Sequence, residues 1–180
     1  TDGLYNEPYL FYFNAGKHKI KLEAISGNFA LQYIKLYRKD DVISNKDLNI
    51  VYAKKGYHQS KNILKIIQAE KAIEKSHSIL YPMYDRSSPS TIPSHPSKIR
   101  LNTIGQLNWK HPGQWIKWEF SIEEDGIYKI AFKARQNFSR GMNAVRRMFI
   151  DGKVPFKEAE NIEFPYRTDW YNKIIGDENP

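Results

Sequence analysis

Arg135-Gln136-Asn137 places a guanidinium and two carboxamides in a row. A guanidinium is a rigid donor fork, and an amide both donates and accepts, so together they can read paired hydroxyls. Polyhydroxylated rings also need a flat apolar face to lie on, and aromatic side chains supply one. Trp109, between Asn108 and Lys110-His111-Pro112, is one such candidate. Trp170, with Tyr166, Arg167 and Asp169 close by in sequence, is another. Arg146-Arg147 sends one guanidinium to each face of a strand. One would be buried against a carboxylate, and Arg147 would be left to meet an acidic ligand.

Each of these groups has a plainer use. Arg135-Gln136-Asn137 could tie a loop by side-chain hydrogen bonds. Trp170 could plug a sheet edge. Asp85-Arg86-Ser87-Ser88 could reach a ligand, but reads rather as a local turn with its own ion pair.

Catalysis finds little support. No Gly-x-Ser-x-Gly, phosphate loop, His-Glu-x-x-His or dinucleotide fingerprint occurs. The carboxylate pairs Glu123/Glu124 and Glu158/Glu160 read as solvated charges rather than a hydrolytic pair. The five histidines lack metal-ligand spacing. With no cysteine, disulfides and thiolate chemistry are excluded.

The 180 residues carry 28 Lys+Arg against 20 Asp+Glu, a net charge of +8 that suits an acidic partner. No RNA-binding sheet motif, helix-turn-helix or zinc finger accompanies that charge, so nucleic acid is not expected. No apolar run is long enough to span a membrane. The 14% aromatic content, with 12 Tyr and 4 Trp, suits a β-protein and a stacking surface alike.

These side chains must be positioned by strands. Alternation predicts extended segments over 9–13, 17–24 and 29–37, joined by turns at Asn14-Ala15-Gly16 and Ser26-Gly27-Asn28. Leu48, Val51 and Tyr52 predict a short amphipathic helix running toward Gly56. Further strands are expected over 63–70, 99–104 and 144–150, the last closed by Asp151-Gly152. Residues 81–96, with four prolines, read as a long loop. Residues 156–175 read as irregular with at most one short strand. The strongest expectation is a β-hairpin over 115–132, turning at Glu124-Asp125-Gly126, with Trp118 inside.

Several segments resemble jelly-roll carbohydrate-binding modules. They are Ile67-Gln68-Ala69-Glu70, Asn102-Thr103-Ile104-Gly105, Pro112-Gly113-Gln114-Trp115 and Glu124-Asp125-Gly126-Ile127-Tyr128. Ile150-Asp151-Gly152-Lys153 and Phe164-Pro165-Tyr166 narrow the resemblance to accessory modules of extracellular solute-binding lipoproteins in Gram-positive sugar ABC transporters. The resemblance implies an all-β, two-layer antiparallel β-sandwich with one short linker helix. It implies an extracellular, non-catalytic module whose partner is a glycan. The sugar site would lie at the polar strand end Arg135-Gln136-Asn137 and neighbouring aromatics. Related sandwiches hold a structural calcium near the first strand, so Glu70 and Asp151 become calcium candidates, with Asp177 also available, although no ligand-dense loop is present. A spacer or protein-interaction sandwich is the alternative.

The expected organisation has three parts. Residues 1–38 supply the closing strands of a preceding module, folded back onto the main body or swapped into a neighbour. Residues 39–62 form the helical linker, and 63–180 the main sandwich. Thr1-Asp2-Gly3 does not read as a signal peptide, and the chain reads as a cut inside a larger protein.

Overall fold

The computed structural model describes residues 10–34, 36, 41–61 and 64–176. It divides into two units, Thr1–Lys39 and Asp40–Pro180.

In the first unit the described residues contain neither helix nor strand. The expected turns are present as bends at 15–16 and 25–27. His18 Nε2 lies 2.8 Å from the Asn14 carbonyl across the first bend, with its ring edge-on to Phe13 at 5.1 Å. The expected strands over 9–13, 17–24 and 29–37 are not formed among the described residues, and Tyr9, Lys35 and Tyr37 lie outside them. Alternation fixes which face a side chain takes, but a strand also requires a hydrogen-bonded neighbour.

The second unit is mainly β. Among its described residues are one α-helix and four small antiparallel ladders of two strands each. The helix, α1 (Asn45–Lys54), forms where the sequence predicts it. Ser44 caps it: the Ser44 hydroxyl accepts from the Asp47 N–H at 3.1 Å and donates to the Asp47 carboxylate at 2.7 Å. Its far end closes with Gly56 N–H on the Ala53 carbonyl and Tyr57 N–H on the Tyr52 carbonyl. The flanking segment is no free linker. Lys157 N–H donates to the Ile43 carbonyl, Asn45 N–H donates to the Glu158 carboxylate at 2.9 Å, and residues 58–60 bond Ile127.

The ladders pair β1 (Glu74–Lys75) with β4 (Ile116–Lys117), and β2 (Pro82–Met83) with β3 (Thr103–Ile104). They also pair β5 (Ala131–Ala134) with β8 (Tyr171–Ile174), and β6 (Ala144–Arg146) with β7 (Ile162–Phe164). Residues 156–175 therefore hold two strands, more than the sequence suggests. The strand expected over 63–70 is absent from 64–68 and ends in a 3-10 turn at Ala69–Lys71. Those expected over 99–104 and 144–150 shrink to β3 and β6.

The 115–132 hairpin does not form. Its first arm pairs with β1 and its second with β8. A two-residue hairpin turn needs positive φ, and none of residues 124–126 adopts it. Gly126 serves another purpose: a Cβ there would lie 3.0 Å from the Ser60 backbone nitrogen, so glycine lets the two segments approach closely. Alternation survives locally, with Trp115 and Lys117 exposed and Ile116 and Trp118 half-buried. Trp118 Nε1 donates to the Ala69 carbonyl at 2.9 Å.

Among the described residues the buried apolar side chains are Leu80, Ala159 and Ile162, outnumbered by buried Asp85, Thr91, Asn102, Thr103, Gln114 and Gln136. The interior around the candidate site is thus held by directed hydrogen bonds more than by hydrocarbon contact.

Candidate functional site

Asp85 is the centre of the polar interior. Its carboxylate meets Arg135 Nη2 at 2.6 Å, with both side chains about nine-tenths buried. Ser87 donates to Asp85 Oδ1 from its backbone N–H at 2.9 Å and from its hydroxyl at 2.6 Å. Arg135 Nη1 donates to the same Ser87 hydroxyl oxygen. On the other side Asn102 acts as a surrogate peptide: its Oδ1 accepts from Asp85 N–H at 2.8 Å and its Nδ2 donates to the Asp85 carbonyl at 3.0 Å. Burial pushes the Asp85 carboxyl up. The two Ser87 bonds, the Arg135 charge and the Trp170 N–H outweigh it and hold the group below its ordinary 3.8. The ion pair expected within Asp85-Arg86 is therefore corrected: Arg86 lies over the Tyr84 ring, and Arg135 is the partner.

Continuation of the β5–β8 ladder places Arg135 beside Trp170. The guanidinium lies 5.1 Å from the indole centroid, and Trp170 Nε1 is 3.3 Å from Ser87 Oγ and 3.4 Å from Asp85 Oδ1. Two residues nominated separately from sequence thus come together. Tyr166 is half-buried nearby in sequence, just before Arg167, whose N–H donates to the Gln136 carbonyl at 2.8 Å. Arg167 also covers the Tyr171 ring at 5.0 Å. Burial raises the Tyr171 phenol pKa against the pull of Arg167, with Asp169 adding to the rise.

Gln136 takes the plainer role. Its Nε2 donates to the Ser139 and Met142 carbonyls, and its Oε1 accepts from the Phe138 and Ser139 N–H groups. The amide is saturated by its own loop. Asn137, next in the chain, keeps a buried Oδ1 with no partner among the described residues.

Trp109 forms a second centre. It packs on Gly105, whose φ is +97°; a Cβ there would lie 3.1 Å from Trp109 Cε3, so both backbone and space demand glycine. Trp109 Nε1 donates to the Gln114 carbonyl at 3.1 Å. Arg146 stacks over the ring at 4.5 Å and donates from Nη2 to the Trp109 carbonyl at 2.7 Å. Of the two adjacent arginines, Arg146 is the half-buried one, and burial lowers its pKa from the ordinary guanidinium value. Among the described residues it pairs with no carboxylate, contrary to expectation. Arg147 is exposed, and among the described residues its side chain has only a 3.5 Å contact to the Glu160 carbonyl.

The calcium candidates do not assemble into a cage. Asp151 sits exposed in the turn closed by reciprocal Ile150–Lys153 hydrogen bonds, and Glu70 lies in the 3-10 turn with Oε2 buried and without a partner among the described residues. Among the described residues no group of three or more His, Asp or Glu side chains converges as a metal site. Asp177 lies outside the described residues. No described helix is long and apolar enough to cross a membrane.

Sequence reasoning gives Asp85 a structural role and Arg146 no ligand role, and it passes over the side chains of Asn102 and Gln114 as site groups. Asp85-x-Ser87 carries a local signal, because an aspartate commonly accepts from the backbone two residues on. No protein-family model matches the chain, and neither a curated protein nor a solved structure matches it.

Proposed function

We propose that this chain is a non-catalytic glycan-binding module, a two-layer β-sandwich of jelly-roll type from an extracellular sugar-capture protein. The observation that carries the reading is the pair of locked indoles. Trp109 and Trp170 are each fixed by an Nε1 hydrogen bond and by a stacked arginine, at 4.5 and 5.1 Å. A pre-set aromatic face beside polar groups lowers the ordering cost of capturing a sugar ring. Asn137, Arg147 and Tyr166 are further candidate contacts in this reading.

Affinity electrophoresis through gels containing plant and cell-wall polysaccharides tests it. Retardation by at least one polymer, lost in Trp109→Ala or Trp170→Ala, is expected. Free migration through all of them would reject the reading. It would favour a protein-interaction module, an alternative supported by the exposed Phe138, Met142 and Phe149 side chains.

A further inference from the structure

Arg146 presents a charge without an opposite. It reaches from β6 onto Trp109, and its polar contacts are two neutral acceptors, the Trp109 carbonyl at 2.7 Å and the Val145 carbonyl at 2.8 Å. A guanidinium has more N–H groups than those two bonds consume. Taking such a charge out of water is unfavourable unless a counter-charge joins it. The chain meets this requirement elsewhere, where buried Arg135 has Asp85. Among the described residues no acid does the same for Arg146.

Gln114 adds a second unmatched donor at the same tryptophan. Its carbonyl takes the Trp109 N–H, and its Oε1 takes the His111 N–H at 2.9 Å. Its Nε2 is buried with no acceptor among the described residues, on a residue only 9% exposed. A buried amide N–H left unbonded is rare and points to an absent acceptor. Two residues bonded to Trp109, Arg146 and Gln114, thus each carry an unmatched donor, one charged and one neutral. The matching chemistry is an oxyanion.

We infer that Trp109, Arg146 and Gln114 form a carboxylate subsite that takes the uronate unit of an acidic glycan, an inference that rests on the glycan-binding function above. The carboxylate accepts from Arg146 and from Gln114 Nε2, supplying the counter-charge and the acceptor together. A charge-assisted pair to a guanidinium is stronger than a neutral hydrogen bond and favours a planar, two-oxygen partner. The chain's net charge of +8 draws a polyanion toward it.

Calorimetric titration of the full chain with trigalacturonate, its methyl ester, cellotriose and inorganic phosphate tests the assignment. Gln114→Glu is the diagnostic variant, because it places the chain's own carboxylate beside Arg146. Trigalacturonate is expected to bind, with the methyl ester about tenfold or more weaker. Gln114→Glu is expected to raise the melting temperature and to remove the preference for acid over ester. Equal binding of acid and ester, unchanged in Gln114→Glu, would overturn the subsite and leave the glycan function standing. Phosphate bound in place of any saccharide would overturn the uronate assignment. Silence toward all four probes would overturn the subsite, and free migration through every polymer in the electrophoresis would separately overturn the function.

Discussion

Asp85 and Arg135 lie 50 positions apart in sequence and meet at 2.6 Å, joining the loop after β2 to the end of β5. Both side chains are buried, and Ser87, Asn102 and Trp170 occupy the remaining polar positions around them. Removing one partner strands the other. Arg135→Met is expected to cost about 3–5 kcal/mol, whereas Asp85→Leu combined with Arg135→Met recovers much of that loss. Chemical denaturation of the two single variants and the double variant measures the coupling.

The same carboxylate sets an acid limit. Its folded pKa lies below the ordinary 3.8, so its stabilisation is fully present above that value and is lost as pH falls through the folded one. Melting temperature should therefore drop in strongly acid buffer. That drop should be smaller in Asp85→Asn, whose side chain does not titrate. A wild-type profile superimposable on that of Asp85→Asn below pH ~4 would contradict the assignment.

The amino terminus of α1 rests on two side chains from distant parts of the sequence, Ser44 and Glu158. Ser44→Ala is expected to destabilise by about 1 kcal/mol. Glu158→Gln keeps a hydrogen-bond acceptor but loses the charge facing the helix dipole, at about 0.3–1 kcal/mol. Urea midpoints with unchanged slope would report both effects.

Gly105→Ala combines a disfavoured φ of +97° with a contact at 3.1 Å from the Trp109 ring. The backbone strain alone is worth about 1–3 kcal/mol. The indole must also shift, so altered near-ultraviolet circular dichroism should accompany the lower melting temperature. Destabilisation with an unaltered aromatic signal would place the cost in the backbone only.

What the sequence made legible was local. Leu48, Val51 and Tyr52 announced α1, and Asp151-Gly152 announced the turn that follows β6. Trp170 and Arg135 were nominated for their chemistry and proved to be neighbours. What it hid was pairing. The segment over 115–132 alternates as a hairpin should, yet each arm has its partner elsewhere, because period-two patterning specifies a face and says nothing of the adjoining strand. Asp85 was assigned to Arg86 for the same reason: adjacency in sequence stood in for adjacency in space. Gln136 carried no mark distinguishing a ligand-binding amide from one consumed by its own loop.

The polar interior has a thermal consequence. Exposing hydrocarbon to water raises heat capacity, while exposing amides and carboxylates lowers it. A centre built around Asp85, Asn102, Gln114 and Gln136, with Leu80 and Ile162 as its larger apolar members, has less hydrocarbon to expose than an oily one. The free energy of unfolding should accordingly bend only gently with temperature, and chilling should weaken this protein less than its chain length alone suggests.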